Sequence, residues 1–226
     1  MGSNPVRVTR NPNKGLRVTP QTFFVSKKYQ PMVLRKPLKW NNIGKASLYM
    51  IEIKTIGAEE KEDVNLANEP FSILGCVKPR LENGVWGYEI EFDPPDNRLE
   101  MTFPDEKRDF DLNGGNVYVG AYEDGRCVGL ACLQQAPFAY IYLDDLKVKK
   151  AYRRMGIGAL LIEKAKEEAM KNGYRGIYTI VQDNNVGAFL FYLKSGFAIG
   201  GFDNRVYSHG KQEGKGDIYL YLDLAK

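Results

Sequence analysis

Arg153-Arg154-Met155-Gly156-Ile157-Gly158-Ala159 puts two guanidinium groups, two glycines and the start of an amphipathic run into seven residues. Such a turn can hold an anion. The first N–H groups of a helix have no partner inside it, and with the helix dipole they attract negative charge. Gly156 and Gly158 let phosphate oxygens approach the backbone without a Cβ in the way, while Arg153 and Arg154 add fixed charge and bidentate donors. Spacing narrows the choice. A P-loop needs four residues between its glycines and then Gly-Lys-Ser/Thr, and a dinucleotide site needs G-x-G-x-x-G; neither is present. What remains is a pyrophosphate cradle of the form Arg-x-x-Gly-x-Gly-Ala, or else an ordinary strand-to-helix turn with surface arginines.

A second pattern follows at Asn185-Val186-Gly187-Ala188-Phe189-Leu190-Phe191-Tyr192-Leu193-Lys194-Ser195-Gly196-Phe197. The two stretches, in this order, resemble the motifs of the GNAT superfamily of N-acetyltransferases, Gln/Arg-x-x-Gly-x-Gly/Ala and Asn-x-x-Ala-x-x-Phe-Tyr-x-x-x-Gly-Phe. The resemblance implies an α/β (α+β) GNAT fold with a mixed, mostly antiparallel central sheet, splayed strands forming a V-shaped gap, and helices on both faces. It also implies acetyl-CoA as co-substrate. Leu146, Lys147, Val148, Arg153, Arg154, Met155, Gly156, Ile157, Gly158, Ala159, Asn185 and Tyr192 would hold it, with the pantetheine arm pairing with backbone near Leu146 and Val148. Tyr192 would turn its hydroxyl toward the thioester sulfur and protonate or hydrogen-bond the leaving thiolate. Phe191 reads as core.

From Met50 onward the chain is most similar to the streptothricin (nourseothricin) acetyltransferases. The likeness rests on Asn68-Glu69-Pro70-Phe71, Pro79-Arg80 with Trp86-Gly87-Tyr88-Glu89, Phe103-Pro104-Asp105, Tyr142-Leu143-Asp144-Asp145-Leu146 and Asp203-Asn204-Arg205-Val206-Tyr207. It implies transfer of acetyl to the β-lysine amine of streptothricin, a small cationic amine. Chemistry agrees, since a cation needs an acidic and aromatic pocket. Trp86, Tyr88, Glu89, Glu91, Asp144, Asp145 and Tyr207 are candidates for ion pairs and cation-π contacts, although acidic residues on an exposed strand face commonly do no more than solvate it. Gly187 and the Gly214-Lys215-Gly216 loop depart from many relatives and bear on substrate scope. Two further readings stay open: a GNAT acting on a protein N-terminus, polyamine or aminoglycoside, and a non-catalytic acyl-CoA-binding module.

A lysine-like amine is protonated near neutral pH and must lose a proton before it attacks a thioester. A carboxylate or a carboxylate-held water can act as general base, and Asp144 and Asp145 are the candidates. Neighbouring strand residues face opposite ways, so one of the two should point into the gap unless a bulge intervenes. Asp144 is preferred as base-side or substrate-binding residue, because the most similar relatives carry a carboxylate there; Asp145 is then structural. Backbone N–H groups near Leu146 to Val148 would face the oxyanion.

The 226 residues suffice for one domain of ordinary size plus an extension. No apolar run approaches the ~20 residues needed to cross a membrane, and no secretory pattern opens the chain, so a soluble, cytoplasmic protein is expected, without membrane or nucleic-acid partners. A homodimer is left open. Cys76, Cys127 and Cys132 lack zinc-ligand spacing and read as reduced packing residues; no metal is expected. His209 is the only histidine, which leaves Cys-His and Ser-His nucleophilic chemistry little to work with. Charge is divided. Residues 1–49 hold ten Lys or Arg and no acid, whereas residues 50–226 carry 22 basic against 28 acidic residues. The prolines and weak periodicity of residues 1–49 predict a leader that does not fold by itself. It reads first as sequence upstream of a true start at Met50, and less readily as a targeting peptide or a nucleic-acid-binding arm. Residues 50–226 form the acetyltransferase domain.

Periodicity then places the motifs. Strands are expected at 50–56, 85–92, 116–122, 126–134, 140–148, 176–182, 197–202 and 218–224, with a shorter one at 101–106. Residues 58–67 read as a short acidic helix and 68–80 as a folded loop. Helices are expected over 156–172, with Ile157, Leu160, Leu161, Ala165 and Ala169 inward, and over 186–195.

Overall fold

The computed structural model describes residues 9–11, 14–17, 34–35, 50–111 and 114–224. In chain order the strands begin with β1 (Thr9–Asn11), β2 (Lys14–Arg17), β3 (Leu34–Arg35), β4 (Met50–Thr55), β5 (Phe71–Ile73), β6 (Gly75–Glu82), β7 (Val85–Phe92) and β8 (Leu99–Met101). They continue with β9 (Val117–Glu123), β10 (Arg126–Gln134) and β11 (Tyr140–Val148), then helix α1 (Ile157–Lys171), β12 (Gly176–Gln182), helix α2 (Val186–Lys194), β13 (Ala198–Asp203) and β14 (Asp217–Asp223). The fold is mixed α/β with a mostly antiparallel central sheet. The chain divides into two compact units.

One unit contains β3, β4, β9, β10, β11 and α1. Asp124 and Gly125 between β9 and β10 have φ of 47° and 76°, the positive values that a two-residue hairpin turn demands. The strand order is β11-β10-β9-β4-β3. Cys127 to Leu133 of β10 are buried without a break, which explains an apolar run rather than an alternation. α1 packs on β9, β10 and β11. Ile56, Val64, Tyr118 and Tyr122 cluster with Cys127, Leu130 and Cys132, and Leu66 and Phe110 pack against that cluster. α1 buries Ile157, Leu160, Leu161, Ile162, Ala165, Glu168 and Ala169. The Glu168 carboxylate is satisfied there, accepting from Thr55 Oγ1 at 3.3 Å and pairing with Lys164 Nζ at 3.0 Å. Gly129 lets the helix lie close to β10. A Cβ at that position would meet Leu161 Cδ1 at 3.2 Å and Ala121 Cβ and Ile157 Cγ2 at 3.3 Å.

The other unit holds β1, β2, residues 70–101 and 178–222. Its sheet runs β1-β2-β7-β6, with β5 and β8 as a separate pair and β13-β14-β12 as neighbours. Val77, Ile90 and Phe189 are fully buried at its core. Tyr88 meets Phe189 of α2 edge-on at 4.8 Å.

Three expectations change. Residues 68–80 are not a loop but supply β5 and β6; Pro79 has the composition of a breaker, yet β6 ends its sheet, where a missing N–H is tolerated. The acidic helix shrinks to a 3-10 turn at Lys61–Asn65, too short for α-helix nucleation to be repaid. The strand expected at 101–106 ends at Met101, and Pro104 lies just beyond it. Within residues 1–49, β2 pairs with β7 through Leu16↔Ile90, and β3 with β4 through Leu34↔Ile51. Otherwise the leader reading lies outside the described residues.

Gly129→Val forces a branched side chain between β10 and α1. It should lower stability by about 1–3 kcal/mol, the usual cost of overpacking, read as an earlier denaturant midpoint; a midpoint equal to wild type would contradict the close approach.

Candidate active site

The predicted cradle forms where β11 ends. Arg154 and Gly156 have φ of 61° and 89°, and the ladder of α1 begins with Leu160 N–H donating to the Gly156 carbonyl at 3.2 Å. The N–H groups of Ile157, Gly158 and Ala159 therefore precede the ladder. Arg154 is exposed on the turn, and Met155 is half-buried. Arg153 is tied inward instead. Its Nε donates to the Val148 carbonyl at 2.9 Å and a terminal nitrogen to the Glu69 carbonyl at 3.3 Å. The Glu69 carboxylate also accepts the Lys150 N–H. Glu69 thus braces both ends of the turn.

The acidic pair sits one turn of pleat earlier. In the β10–β11 ladder Cys132 faces Asp145 but Leu133 faces Leu143, so Asp144 is the extra residue of a bulge. Alternation is broken there, and both carboxylates reach Arg108. One Arg108 nitrogen donates to Asp144 Oδ2 and the other to Asp145 Oδ2, the latter at 3.4 Å. Lys147 Nζ pairs with Asp145 at 2.9 Å and donates to Asn68 Oδ1 at 3.1 Å. Leu146 and Val148 stand opposite Ala131 and Gly129.

The remaining candidates belong to the other unit. β7 pairs with β6 without a slip from Val85 to Phe92, so Trp86 and Tyr88 face away from Glu89 and Glu91. No single face of that strand gathers all four. Glu89 pairs with Arg80 at 2.7 Å; Glu91 is exposed opposite Cys76. Burial pushes the Tyr88 hydroxyl pKa up. Tyr207 donates to Asp217 Oδ1 at 2.9 Å, and burial raises both their pKa values. Asn185 caps α2, its Oδ1 accepting the Ala188 N–H at 3.1 Å. Tyr192 is buried, its ring edge-on to Phe191 at 5.3 Å and Phe197 at 5.2 Å. Phe191 is only half-buried, and Phe189 takes the core position assigned to it.

The GNAT acetyltransferase family model matches residues 85–197. Streptothricin acetyltransferase A of Bacillus subtilis (strain 168) is 32% identical over 167 residues, spanning 71% of this chain and 92% of that protein. The chain belongs to the GNAT acetyltransferase family. Among solved structures, a protein described as a streptothricin acetyltransferase from Bacillus anthracis str. Ames, in complex with acetyl coenzyme A, superimposes with a TM-score of 0.68. It is 28% identical, over 77% of this chain and 99% of that one. A nourseothricin acetyltransferase shares the fold, with a TM-score of 0.63 at 20% identity over 77% of this chain and 99% of that one. This GNAT enzyme is an acetyl-CoA-dependent N-acetyltransferase.

Its turn suits the diphosphate of acetyl-CoA: backbone donors ahead of the α1 ladder, a left-handed Gly156 and flanking basic residues are what such an anion needs. Cysteine nucleophiles are poorly provided for. Burial pushes the Cys127 and Cys132 thiols up to about 11 and about 12, so both stay protonated near neutral pH. Among the described residues no group of three His, Cys, Asp or Glu could hold a metal ion, and no helix is long and apolar enough to cross a membrane. Sequence reasoning missed Arg108 and Asn65, and saw Asn68, Glu69 and Asp105 only as likeness. Asn68 donates its N–H to Asp105 Oδ1 at 2.7 Å and its Nδ2 to the Pro104 carbonyl at 3.1 Å. Those two signature segments are each other's partners. Polar residues beside Pro70 and Pro104 were the one signal that could have found them.

Arg153→Ala should raise the acetyl-CoA Kd about tenfold, within the range for truncating a hydrogen-bonded charge. Glu69→Gln should act in the same direction and more weakly, and the double variant should cost less than the two combined, since both act on one turn. Titration calorimetry reads this; additive losses would separate the residues, and a wild-type Kd for Arg153→Ala would remove it from the site.

Proposed function

We propose that this enzyme acetylates a primary amine of a small cationic substrate, and that the amine is the β-lysine amine of streptothricin. The observation that carries the reading is the likeness to Bacillus subtilis streptothricin acetyltransferase A along 92% of that protein's length. The partly buried Asp144–Asp145 pair on β11 supports it. Dependence on acetyl-CoA, an intracellular metabolite, is the reason to expect the enzyme in the cytoplasm.

Acetyl-CoA supplies the acetyl group as a thioester. The α1 N-terminus, Arg154 and the braced Arg153 hold its diphosphate, and backbone groups at Leu146 and Val148 orient its arm. Asp144 binds on the side of the substrate ammonium and holds the water that carries away the proton the ammonium must lose. Backbone N–H groups near Leu146 to Val148 meet the negative charge that develops on the acyl oxygen. Tyr192 gives its hydroxyl proton to the departing sulfur. The aromatic face of β7 and the Tyr207 loop contribute to acceptor binding, with Glu89 and Glu91 acting from the opposite face of the strand.

The test is to incubate the full chain with acetyl-CoA and streptothricin and to follow thiol release and product mass. One added acetyl group is expected. Thiol release with a polyamine or an aminoglycoside but not with streptothricin would sink the acceptor assignment. Tyr192→Phe should lower kcat by ~10 to 10³-fold, the range for lost acid catalysis, with acetyl-CoA Kd nearly unchanged. Unaltered turnover would take Tyr192 out of the mechanism.

A further inference from the structure

Four ionised side chains meet around the bulge of β11. Asp144 and Asp145 are negative, Arg108 and Lys147 positive, and each side chain is between 15% and 21% exposed. The group is close to neutral as a whole. Arg108 does not come from the strand but from the segment before β9, and its backbone is fixed on both sides. Asn65 Oδ1 accepts the Arg108 N–H at 2.7 Å, while Asn65 Nδ2 donates to the Arg108 carbonyl at 3.1 Å. Asn68 pins Pro104 and Asp105 of the same segment. A guanidinium meant only for solvent needs no such anchoring, and here its planar fork spans two carboxylates that alternation alone would have parted.

We propose that Arg108 is a positioning residue that forks across Asp144 and Asp145 and cancels the pair's excess charge, so that the attacking amine is held in its neutral form. The inference rests on the functional reading above, which puts that amine beside Asp144. Without the guanidinium the group would carry one net negative charge. An ammonium close to it would then be held more tightly and give up its proton less readily, because an opposite charge within a few ångströms shifts a pKa by ~1–3 units toward the charged form. Tighter binding of the wrong protonation state slows attack. Arg108 gives up some affinity for the ammonium and keeps the lone pair available.

The charged and polar groups around Arg108 come from β10, β11, the 65–68 segment and its own segment. β11 contributes Asp144, Asp145 and Lys147, and the 65–68 segment contributes the uncharged Asn65 and Asn68. β10 contributes Cys132, whose thiol burial pushes up to about 12. Lys107 and Asp109 on its own segment are exposed and of opposite sign. Burial works against the Arg108 charge, but Cys132, Asp144 and Asp145 outweigh it, and the group stays protonated.

The experiment measures kcat and acceptor KM of the full chain with streptothricin from pH 6 to 9.5, for wild type, Arg108→Gln and Arg108→Lys. Arg108→Gln should move the alkaline-rising limb of kcat up by about 1 pH unit and lower kcat at pH 7 about tenfold, with KM unchanged or lower. Arg108→Lys, which restores the charge without the fork, should bring the midpoint back toward wild type. A raised KM with an unmoved midpoint, or a uniform loss at every pH that Lys does not repair, would overturn the proposal. Should Arg108→Gln fail to fold by circular dichroism, Asn65→Ala, which frees the segment but keeps the guanidinium, should give a smaller shift of the same sign. An unmoved midpoint there overturns it equally. Wild-type protein that releases no thiol overturns the functional reading and the clamp with it; turnover with an unshifted Arg108→Gln profile overturns the clamp alone.

Discussion

Between Cys132 and Leu133 the β10–β11 ladder slips by one residue, and Asp144 is the residue left over. Much of the site depends on that slip. A regular strand would send Asp144 and Asp145 to opposite faces, one of them into the packing around α1 or the Cys132 cluster. The bulge turns both toward one guanidinium, and Arg108 in turn needs the 104–108 segment to lie against residues 65–68. From Asn68 the frame passes to Lys147, and from Glu69 to Lys150 and Arg153. The acidic middle of β11 and the glycine-bearing turn at its end are thereby held by adjacent residues of one short segment.

Charge is arranged with the same economy. A partly buried carboxylate without a partner is costly, and one that is paired and hydrogen-bonded is tolerated. Asp144, Asp145, Glu69 and Glu168 each have a cationic neighbour. Such pairs add little net stability, because desolvation offsets much of the attraction. Their effect here is directional: they fix where the carboxylates of β11 point and how the basic turn is presented. The Cys127 and Cys132 thiols, held protonated by burial, are packing groups of the hydrophobic cluster around Tyr118 and Tyr122.

Several residues that mark the family also hold the fold together. Asn185 caps α2, Arg153 fastens the turn to Val148 and Glu69, and Tyr192 packs between Phe191 and Phe197. A function at the acetyl thioester and a part in packing are compatible for such residues, because a group that must act at a defined point is best placed by neighbours that lock its rotamer. β7 works under a harder rule. Its uninterrupted register keeps Trp86 and Tyr88 on one side and Glu89 and Glu91 on the other, and Glu89 is matched with Arg80.

The amino-acid sequence by itself determined the class and the elements. The Asp124-Gly125 turn, the apolar face of α1 and the glycine-bearing turn at Arg153 to Gly158 are local patterns, and the structure has them where periodicity put them. The family was legible for the same reason, since both motifs are continuous stretches. Strands β5 and β6 were not, because Pro79 reads as a breaker until its place at a sheet edge is known. Only the tertiary structure decided which charges meet. Arg108 lies 36 residues from Asp144, Asn65 43 residues from Arg108, and Glu69 81 residues from Lys150. No local spacing encodes such pairs; they come from loops closing over a sheet, and a one-residue slip in that sheet chose the face that both aspartates share.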